Sequence, residues 1–577
     1  MDVQRLLLIG AAAALSFMLL TEWVAFKEAK AKPESGNATR LSSQQPPPLQ
    51  DDLTTVSDLP SDVTLNEASE SDDIPDDPTA DAVATDIPGA GSANVIAGNN
   101  LIQIKTDVLE LAIDLEGGDI IEAALPKFPV ALSTPDIPFV LLEHNQGRSY
   151  IAQSGLIGVD GIDAKGRANY RTSVKRYVLQ SGAEELSVDL IWQGDNDVSV
   201  IKRYTVRQGD YLIDVDFLVA NNGSERWQAN LFGQIKRDSS EDPSKSQSGM
   251  GMQSFVGAAL TTPDDRFIKH SFSDMEDEPF KGKLPGGWVA MIQHYFLSAW
   301  VPNPEQTHAY STRVTRGGFN IAGFTSPTLT VDPGNTGSTG ASFYMGPKDQ
   351  YRLKEISPYL ELAVDYGWLW WIAQPLFWLL TKMFAFAGNW GVAIILLTVL
   401  VKAAFFKLSA TSYRSMARMR AVQPKMQSIR DQYGDDKQKQ SHALMELYKK
   451  EKVNPMMGCL PVLVQMPVFI ALYWVLFESY ELRQAPFALW LTDLSVMDPY
   501  FVLPLMMGAS MWFMQRLNPP PPDPMQAKIM QWLPVMFTFF FLWFPAGLVL
   551  YWVVNNLLSM TQQYVITRQI EKAAAGH

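Results

Sequence analysis

The last third of the chain contains long apolar runs separated by short polar segments, and this pattern limits the possible folds more than any other feature. One run, GVAIILLTVLVKAAFF at residues 391–406, carries a single charged residue, Lys402. Apolar segments of about 20 residues cross a bilayer as helices, because lipid offers no hydrogen-bond partners to an open backbone. We predict a polytopic α-helical core over residues 389–568, with five spans at about 389–408, 459–479, 500–515, 529–544 and 548–566.

The first 100 residues contain two segments of different composition. Residues 1–26 are mostly apolar and predict an N-terminal transmembrane anchor, with a cleaved signal peptide as the alternative, because Arg5 precedes the segment and small residues follow it. Residues 41–100 hold twelve acidic residues and neither Lys nor Arg, which accounts for most of the net charge of −14. Residues 27–100 lack the apolar density of a hydrophobic core, so we predict that they form an acidic disordered tether.

Residues 101–357 alternate polar and apolar side chains in many short runs, such as ELSVDLIWQ and YLIDVDFLVANNG, which are separated by Gly, Asn and Asp. Period-two alternation without long helical patterns predicts an antiparallel β-sandwich. The next segment, residues 358–388, is rich in tryptophan and contains PLFWLLTKMFAF. It predicts an amphipathic helix at the membrane–water boundary; the alternative is that its aromatic residues belong to the core of the sandwich.

The polar segment between the first two C-terminal spans, residues 409–453, predicts a helical hairpin that is broken at YGDD. From Lys402 to Val453 the chain has twelve basic and five acidic residues. Because basic loops remain in the cytoplasm, we expect this hairpin and the tail at 569–577 to be cytoplasmic. Counting spans from the hairpin then places the β-sandwich on the outer side of the membrane. If the anchor is retained, both termini lie on the cytoplasmic side. In a bacterial inner membrane the outer side is the periplasm.

Lys402 is the most informative single residue of the apolar runs. A charged side chain at the centre of a membrane helix costs about 2.5–3.5 kcal/mol on insertion scales, so such residues are functional candidates. Other polar residues occur in the spans: Tyr551, Asn555, Ser559 and Gln562 or Gln563 follow one helix face. We predict a water-filled substrate groove lined by Thr398, Lys402, Gln465, Tyr551 and Asn555. The alternatives are that Lys402 extends to the lipid headgroups and that the other polar residues only join helices by hydrogen bonds.

The predicted cytoplasmic hairpin is rich in methionine, whose flexible side chain suits varied apolar partners. Met416, Met419, Met426 and Met445 are therefore predicted to contact substrate, with the hairpin's own core as the alternative. The sequence has no phosphate-binding loop, no metal-binding pair of histidines and no nucleophile motif. We therefore predict a protein that is not an enzyme, has no metal or other cofactor and does not recognise nucleic acid directly.

Five stretches between residues 360 and 568 resemble the YidC family of membrane protein insertases. They are DYGWLWWIAQPLF, SYRSMARMRAVQPKMQSIRDQYGDDKQK, EKVNPMMGCLPVLVQMPVFIALYWVL, ELRQAPFALWLTDLS and FTFFFLWFPAGLVLYWVVNNLLS. The anchor, tether and β-domain are similar to the Gram-negative form, whose periplasmic domain is a mutarotase-like sandwich. The resemblance implies a five-helix core around a hydrophilic groove that is open to cytoplasm and lipid. It also implies a positive charge in that groove, usually Arg. Lys402 keeps the charge but not the bidentate geometry toward carboxylates.

The resemblance implies an inner-membrane insertase and chaperone that takes polar segments into the groove, alone or with the Sec translocon. The implied partners are nascent membrane proteins, the Sec translocon, the translating ribosome and anionic lipids. Two other classes remain open. A transporter or channel would use the same polar residues along a path open at both faces. A membrane-anchored carbohydrate-binding protein would need a sugar-sized cleft with paired carboxylates in the β-domain.

Overall fold

The computed structural model describes residues 100–194, 196–244, 254–262, 265–434, 436–451, 460–517 and 524–575, together with Pro75. The predicted anchor at 1–26 lies outside the described residues, as does the predicted tether except for Pro75 and Asn100.

The described part of the N-terminal half forms a β-sandwich. Its strands are β1 (Leu101–Lys105), β2 (Glu110–Asp114), β3 (Asp119–Ala131), β4 (Thr134–His144), β5 (Ser149–Ile157), β6 (Arg176–Val178), β7 (Glu185–Gln193), β8 (Val198–Arg207), β9 (Leu212–Asn221), β10 (Trp227–Arg237), β11 (Gly257–Leu260), β12 (Ile268–Ser271), β13 (Lys281–Pro285), β14 (Val289–Ile292), β15 (Phe296–Pro302), β16 (Thr307–Val314), β17 (Asn320–Val331) and β18 (Asn335–Pro347). One sheet has the order β13-β16-β17-β10-β5-β4-β3-β2-β1-β6, and the other has the order β12-β11-β14-β15-β18-β9-β8-β7.

The predicted antiparallel β-sandwich is confirmed, with one difference: β6 pairs in parallel with β1. Strands β8 and β9 bury every second residue, as the period-two pattern requires. Gly117 and Gly118 have positive φ values of 76° and 59° in the turn between β2 and β3, a backbone conformation that glycine adopts without steric cost. Leu353 and a 3₁₀ turn at Leu360–Ala363 cover the outer face of the second sheet at β11, β14 and β15, so this part of the sheet is buried on both sides.

The remaining elements are helical. They are α1 (Phe272–Asp277) and α2 (Gln350–Ile356) within the sandwich, followed by α3 (Trp370–Ala387), α4 (Trp390–Ala404), α5 (Phe406–Tyr433), α6 (Lys437–Lys450), α7 (Leu460–Glu478), α8 (Val502–Leu517), α9 (Pro524–Phe540) and α10 (Ala546–Ala575). Each predicted span overlaps one of the helices α4 and α7–α10, which together form the C-terminal helical core; α9 begins five residues before its predicted span, and α10 extends nine residues beyond its own. Asn389 begins α4 by accepting a hydrogen bond from the Val392 amide at 3.0 Å.

The first core helix differs from its prediction, because it ends at Ala404 instead of continuing to residue 408. Helix α5 begins at once in a new direction, and the two helices are bent by 66°. Among the described helices, only this bent pair has the combined length and hydropathy of a membrane span, and no helix meets that criterion individually. The predicted break at YGDD is present, because α5 ends at Tyr433 and α6 begins at Lys437.

Helix α3 lies in the segment predicted to occupy the membrane–water boundary. Its buried face, which includes Ala373, Phe377 and Leu380, joins the apolar cluster of the helical core and not the core of the sandwich. Its opposite side exposes aromatic rings: Trp370, Trp371 and Trp378 are each more than half exposed. This arrangement disagrees with the alternative that the aromatics belong to the sandwich core.

The sandwich contacts the helical core at the end of α7. Lys348, directly after β18, forms a buried ion pair with Glu478, the last residue of α7, at 2.5 Å. The His294 ring meets the Phe477 carbonyl oxygen at 2.9 Å. Burial lowers the pKa of His294, so the ring is neutral at pH 7 and donates this hydrogen bond through Nε2. These contacts fix one end of α7 against the sandwich.

Candidate functional site

The candidate site surrounds Lys402 in the last turn of α4. The Lys402 ammonium donates a hydrogen bond to the Ser559 hydroxyl on α10 at 2.7 Å and lies 3.5 Å from Oε1 of Gln465 on α7. Three helices that are far apart in sequence therefore meet at one cation.

The Lys402 side chain points inward and is only 9% exposed. This geometry disagrees with the alternative in which the side chain extends to the lipid headgroups, because that arrangement would expose the ammonium. Within the described chain its two hydrogen-bond partners are uncharged, and no carboxylate forms an ion pair with it. A buried charge without a counter-charge is energetically costly, so the site favours an incoming anionic group.

Gln465 and Ser559 complete the polar cluster. The buried Nε2 of Gln465 has no hydrogen-bond partner among the described residues, so a second donor is available beside the ammonium. Ser559 donates to the Asn555 carbonyl oxygen at 2.7 Å, and its remaining capacity accepts the hydrogen bond from Lys402. The cluster therefore presents donors, which suits carboxylates and backbone carbonyl groups.

The other predicted groove residues have different surroundings. Thr398 is buried one turn before Lys402, and its hydroxyl donates to the Ile394 carbonyl oxygen of its own helix at 2.6 Å. Tyr551 is buried and stacks on Phe469, two turns of α10 away from Ser559. Asn555 is half-buried and contributes its backbone carbonyl group to Ser559. The structure therefore brings Lys402 and Gln465 together directly, and it places Thr398, Tyr551 and Asn555 on adjoining turns.

The sequence reasoning left Ser559 out of the site, although it placed Ser559 on the same helix face as Tyr551 and Asn555. Ser559 lies four residues after Asn555, and this i, i+4 spacing could have indicated that Ser559 belongs to the site. Tyr413 on α5, which also hydrogen-bonds to Ser559, was missed as well. No local pattern connects Tyr413 to a residue near the C-terminus.

The end of the core nearer the sandwich is packed with apolar side chains. Ile394 and Leu397 on α4, Leu472 on α7 and Val549 on α10 are all fully or almost fully buried in one cluster. A continuous polar path past these residues would have to separate the helices. This packing disfavours the transporter hypothesis.

The four methionines of the helical hairpin formed by α5 and α6 differ in exposure. Met426 is 7% exposed, and it forms the small core between α5 and α6 together with Val422 and the neighbouring Met419. Met416 is half-buried, whereas Met445 on α6 is 60% exposed.

The β-sandwich contains a buried ionic cluster, but this cluster has no free carboxylate. Arg167 binds both Asp119 and Asp163. The Lys202 ammonium donates to the carbonyl oxygens of Gly117, Gly118 and Ser154 at 2.8–2.9 Å. Burial lowers the pKa of Lys202 to about 7. Both carboxylates of the cluster are paired with Arg167, so they do not form the paired-carboxylate cleft of the carbohydrate-binding hypothesis.

Comparison with protein families gives two adjoining matches. Residues 101–379 match the family described as YidC periplasmic domain, and residues 382–573 match the family described as 60Kd inner membrane protein. A relative from Azotobacter vinelandii named membrane protein insertase YidC is 51% identical over 577 residues, which cover 100% of both chains. A protein of the same name from Pseudomonas aeruginosa strain PAO1 is 50% identical and is also covered completely.

Two solved structures are also similar. A crystal structure of an active YidC insertase with its first transmembrane domain resolved aligns with 81% of this chain and 92% of its own, at 19% identity and a TM-score of 0.37. A galactose mutarotase related enzyme from Lactobacillus acidophilus aligns with 42% of this chain and 97% of its own, at 11% identity and a TM-score of 0.29. The family matches and the full-length sequence identity show that the chain belongs to the YidC family of membrane protein insertases.

Proposed function

We propose that the protein inserts nascent membrane proteins into the inner membrane by taking a short polar segment of the substrate into the groove around Lys402. An acidic or carbonyl-rich segment enters from the cytoplasm, and the adjoining apolar segment of the substrate moves into lipid beside the core helices. The polar segment of the substrate then crosses a shorter apolar distance than it would through lipid alone. The step requires no covalent chemistry.

The observation that supports this proposal is the buried Lys402 ammonium, which is held by Ser559 and Gln465 without a carboxylate among the described residues. A buried charge without a counter-charge is costly, so a substrate carboxylate that reaches Lys402 would gain a favourable ion pair there. In the proposed function the substrate supplies that charge. Gln465 Nε2, which has no hydrogen-bond partner in the described part of the chain, is placed to bind a substrate carbonyl group.

The driving force is burial of the substrate's apolar segment in lipid. For acidic residues the membrane potential adds about 2.3 kcal/mol per charge per 100 mV, because negative charge moves toward the positive outer side. Lys402 lowers the barrier by binding this charge part of the way across. We therefore propose that acidic substrates depend on Lys402 more than neutral ones.

We also propose the orientation that the charge pattern predicts: a multi-pass protein with both termini and the helical hairpin in the cytoplasm and the sandwich in the periplasm. Exposed Arg414, Arg418, Lys449 and Lys450 give the hairpin a basic surface suited to anionic lipids. Met445 is the methionine best placed for substrate contact, because Met426 is buried. The Sec translocon and the translating ribosome are proposed partners because the substrates are nascent chains.

Site-specific crosslinking tests the groove. A photo-crosslinking residue would replace Gln465 or Ser559, and a control would replace Leu505, which is 60% exposed on α8. Ribosome-bound nascent chains of a short membrane protein with an acidic segment should crosslink at 465 and 559, through that segment. Crosslinks at 505 should form only with the apolar segment. Equal crosslinking of the acidic segment to all three positions would exclude the groove as its path.

A further inference from the structure

The β3–β4 hairpin extends beyond the sandwich as a two-stranded arm. Strand β2 pairs with β3 only as far as Ala124, and β5 pairs with β4 only at Glu143 and His144. Between these limits, β3 and β4 pair only with each other among the described strands. A two-stranded hairpin has little stability of its own, so the arm needs support from other contacts.

The end of this arm, residues 129–138 with the sequence PVALSTPDIP, is here called the apolar tip. It contains one charged residue, Asp136. Its largest apolar side chains are exposed: Val130 by 52%, Leu132 by 46% and Ile137 by 54%. Pro129 pairs with Pro138, which brings the next residues, Val130 and Ile137, together across the arm. Leu132 lies in the turn that joins β3 to β4, next to these two residues in the chain fold.

The apolar tip is held next to the end of a core helix. The Arg483 guanidinium and the Gln484 side-chain amide donate to the Pro129 carbonyl oxygen at 2.8 and 3.0 Å. The Arg483 guanidinium also lies over the Phe139 ring at 5.6 Å. Arg483 is five residues beyond Glu478, where the apolar helix α7 ends. The tip is therefore at the level where α7 would leave the membrane.

A second core helix ends at the same level. Asn389, directly before α4, donates to the carbonyl oxygens of Pro486 and Phe487 in the loop that carries Arg483. That loop also exposes Leu489 by 88%. The apolar tip and Leu489 thus lie beside the ends of two core helices in a member of an inner-membrane family, and this position favours lipid as the occupant.

We propose that the apolar tip inserts Val130, Leu132 and Ile137 into the outer headgroup region of the membrane that the core helices cross. The β-sandwich is then held against the bilayer at two places, through the lipid contact and through the buried contacts at the end of α7. This inference rests on the proposed orientation but not on the groove, so its failure leaves the role of Lys402 open to the crosslinking test.

Fluorescence quenching in membranes tests the proposal. The chain has one cysteine, so a Cys459→Ser background accepts a single environment-sensitive fluorophore at a new cysteine. The probe positions are Leu132 and Ile137. The control is Val159, which is 84% exposed and lies beside Asp160, whose amide bonds to Gln228. Gln228 lies beyond the C-terminal end of β9. Tyr211, at the N-terminal end of β9, contacts Phe128 of the arm. The ten residues of β9 separate the two regions by about 33 Å.

The full-length variants would be reconstituted in vesicles of phosphatidylethanolamine and phosphatidylglycerol. Lipids with a nitroxide near the headgroup should quench the labels at 132 and 137 several-fold more than the label at 159. Iodide in the water should quench the label at 159 most strongly. Iodide quenching at 132 equal to that at 159 would show a tip in water, and protection from both quenchers would show a tip covered by protein. Either result would overturn the proposal.

Discussion

Lys402 is held by groups that position its charge without neutralising it. Ser559 and Gln465 supply oxygens at 2.7 and 3.5 Å, and neither carries a charge. Arg167 in the β-sandwich shows the contrasting arrangement, because two aspartates of the same chain bind it. Lys402 therefore differs from Arg167 in having no counter-charge among the described residues.

A carboxylate introduced beside Lys402 should reduce insertion without reducing stability. In Gln465→Glu an oxygen within reach of the ammonium becomes charged and forms an internal ion pair, which competes with acidic substrate segments. We expect insertion of an acidic-tailed substrate to fall several-fold while the unfolding temperature in detergent stays the same or rises.

Gln465→Leu is the matched control for this variant, because it removes the polar group without supplying a counter-charge. It should insert the acidic substrate better than Gln465→Glu does. If both variants lose insertion activity to the same extent, the charge of Lys402 does not act on the acidic substrate.

At the scale of elements, α7 connects the groove with the sandwich. Its Gln465 faces Lys402, and its last residue, Glu478, pairs with Lys348. Thirteen residues separate Gln465 from Glu478, about 20 Å along a helix. A helix fixed at the sandwich keeps its other residues in register with α4 and α10, so the sandwich contributes to the geometry of the polar cluster around Lys402.

Loss of the Glu478 charge should weaken the docking of the sandwich on the core. Glu478→Gln leaves the Lys348 ammonium buried without a counter-charge, which costs about 3–5 kcal/mol. We expect a lower unfolding temperature and faster proteolysis between residues 348 and 370. The double variant Lys348→Met, Glu478→Leu should recover most of the loss, because it removes both buried charges.

Asp189→Asn provides the comparison for an exposed ion pair, since Arg203 and Asp189 are each more than a third exposed. Its effect should stay within about 1 kcal/mol. A Glu478→Gln variant as stable as Asp189→Asn would contradict the role given to the buried pair.

The elements were predictable because their patterns are local. Alternation predicts strands such as β8 and β9, and apolar length predicts helices such as α4 and α7, without knowledge of their partners. The bend at Phe405 was not predicted, because the apolar run continues through Phe406 while the backbone changes direction. Lys402 and Gln465 were recognisable as polar residues in apolar surroundings.

The partners of these residues required the fold. Lys402 contacts Ser559, which is 157 positions away, and Lys348 contacts Glu478, which is 130 positions away. Periodicity shows which face of a helix is polar but not which other face it meets, so Ser559 and Tyr413 could not be assigned to the site. For the same reason, no local pattern indicated that α7 joins the polar cluster around Lys402 to the sandwich.

At the scale of the whole molecule, docking of the sandwich on the core should depend on pH. Glu481 lies beside the apolar tip in a cleft that Lys127 and Arg483 also line. Burial and the nearby Asp349 raise the pKa of Glu481 from an ordinary 4.5 to about 8. The folded protein therefore binds more protons than the unfolded chain between these values.

The contribution of Glu481 is full below about pH 4.5 and is lost as pH rises to about 8. We expect the stability of the wild type relative to Glu481→Gln to fall as the pH rises across this range, because docking of the wild-type sandwich weakens. Unfolding temperatures of both proteins in detergent at several pH values measure it. Burial lowers the pKa of His294, so its contribution to stability changes with pH in the opposite direction. Because both proteins contain His294, comparing their unfolding temperatures cancels this contribution. A difference that does not vary with pH would place the Glu481 carboxyl in water.

The central claim is that Lys402 attracts the charge of the substrate, and exchanging charges tests it most directly. Insertion of one small membrane protein would be measured with its natural acidic segment and with that segment made basic, in cells that contain wild-type protein, Lys402→Arg or Lys402→Glu at equal levels. The ratio of insertion by Lys402→Glu to insertion by wild type cancels the effect of the membrane potential on each substrate. We predict a ratio well below one for the acidic substrate and above one for the basic substrate, with Lys402→Arg close to wild type for both. The same ratio for both substrates would contradict the account.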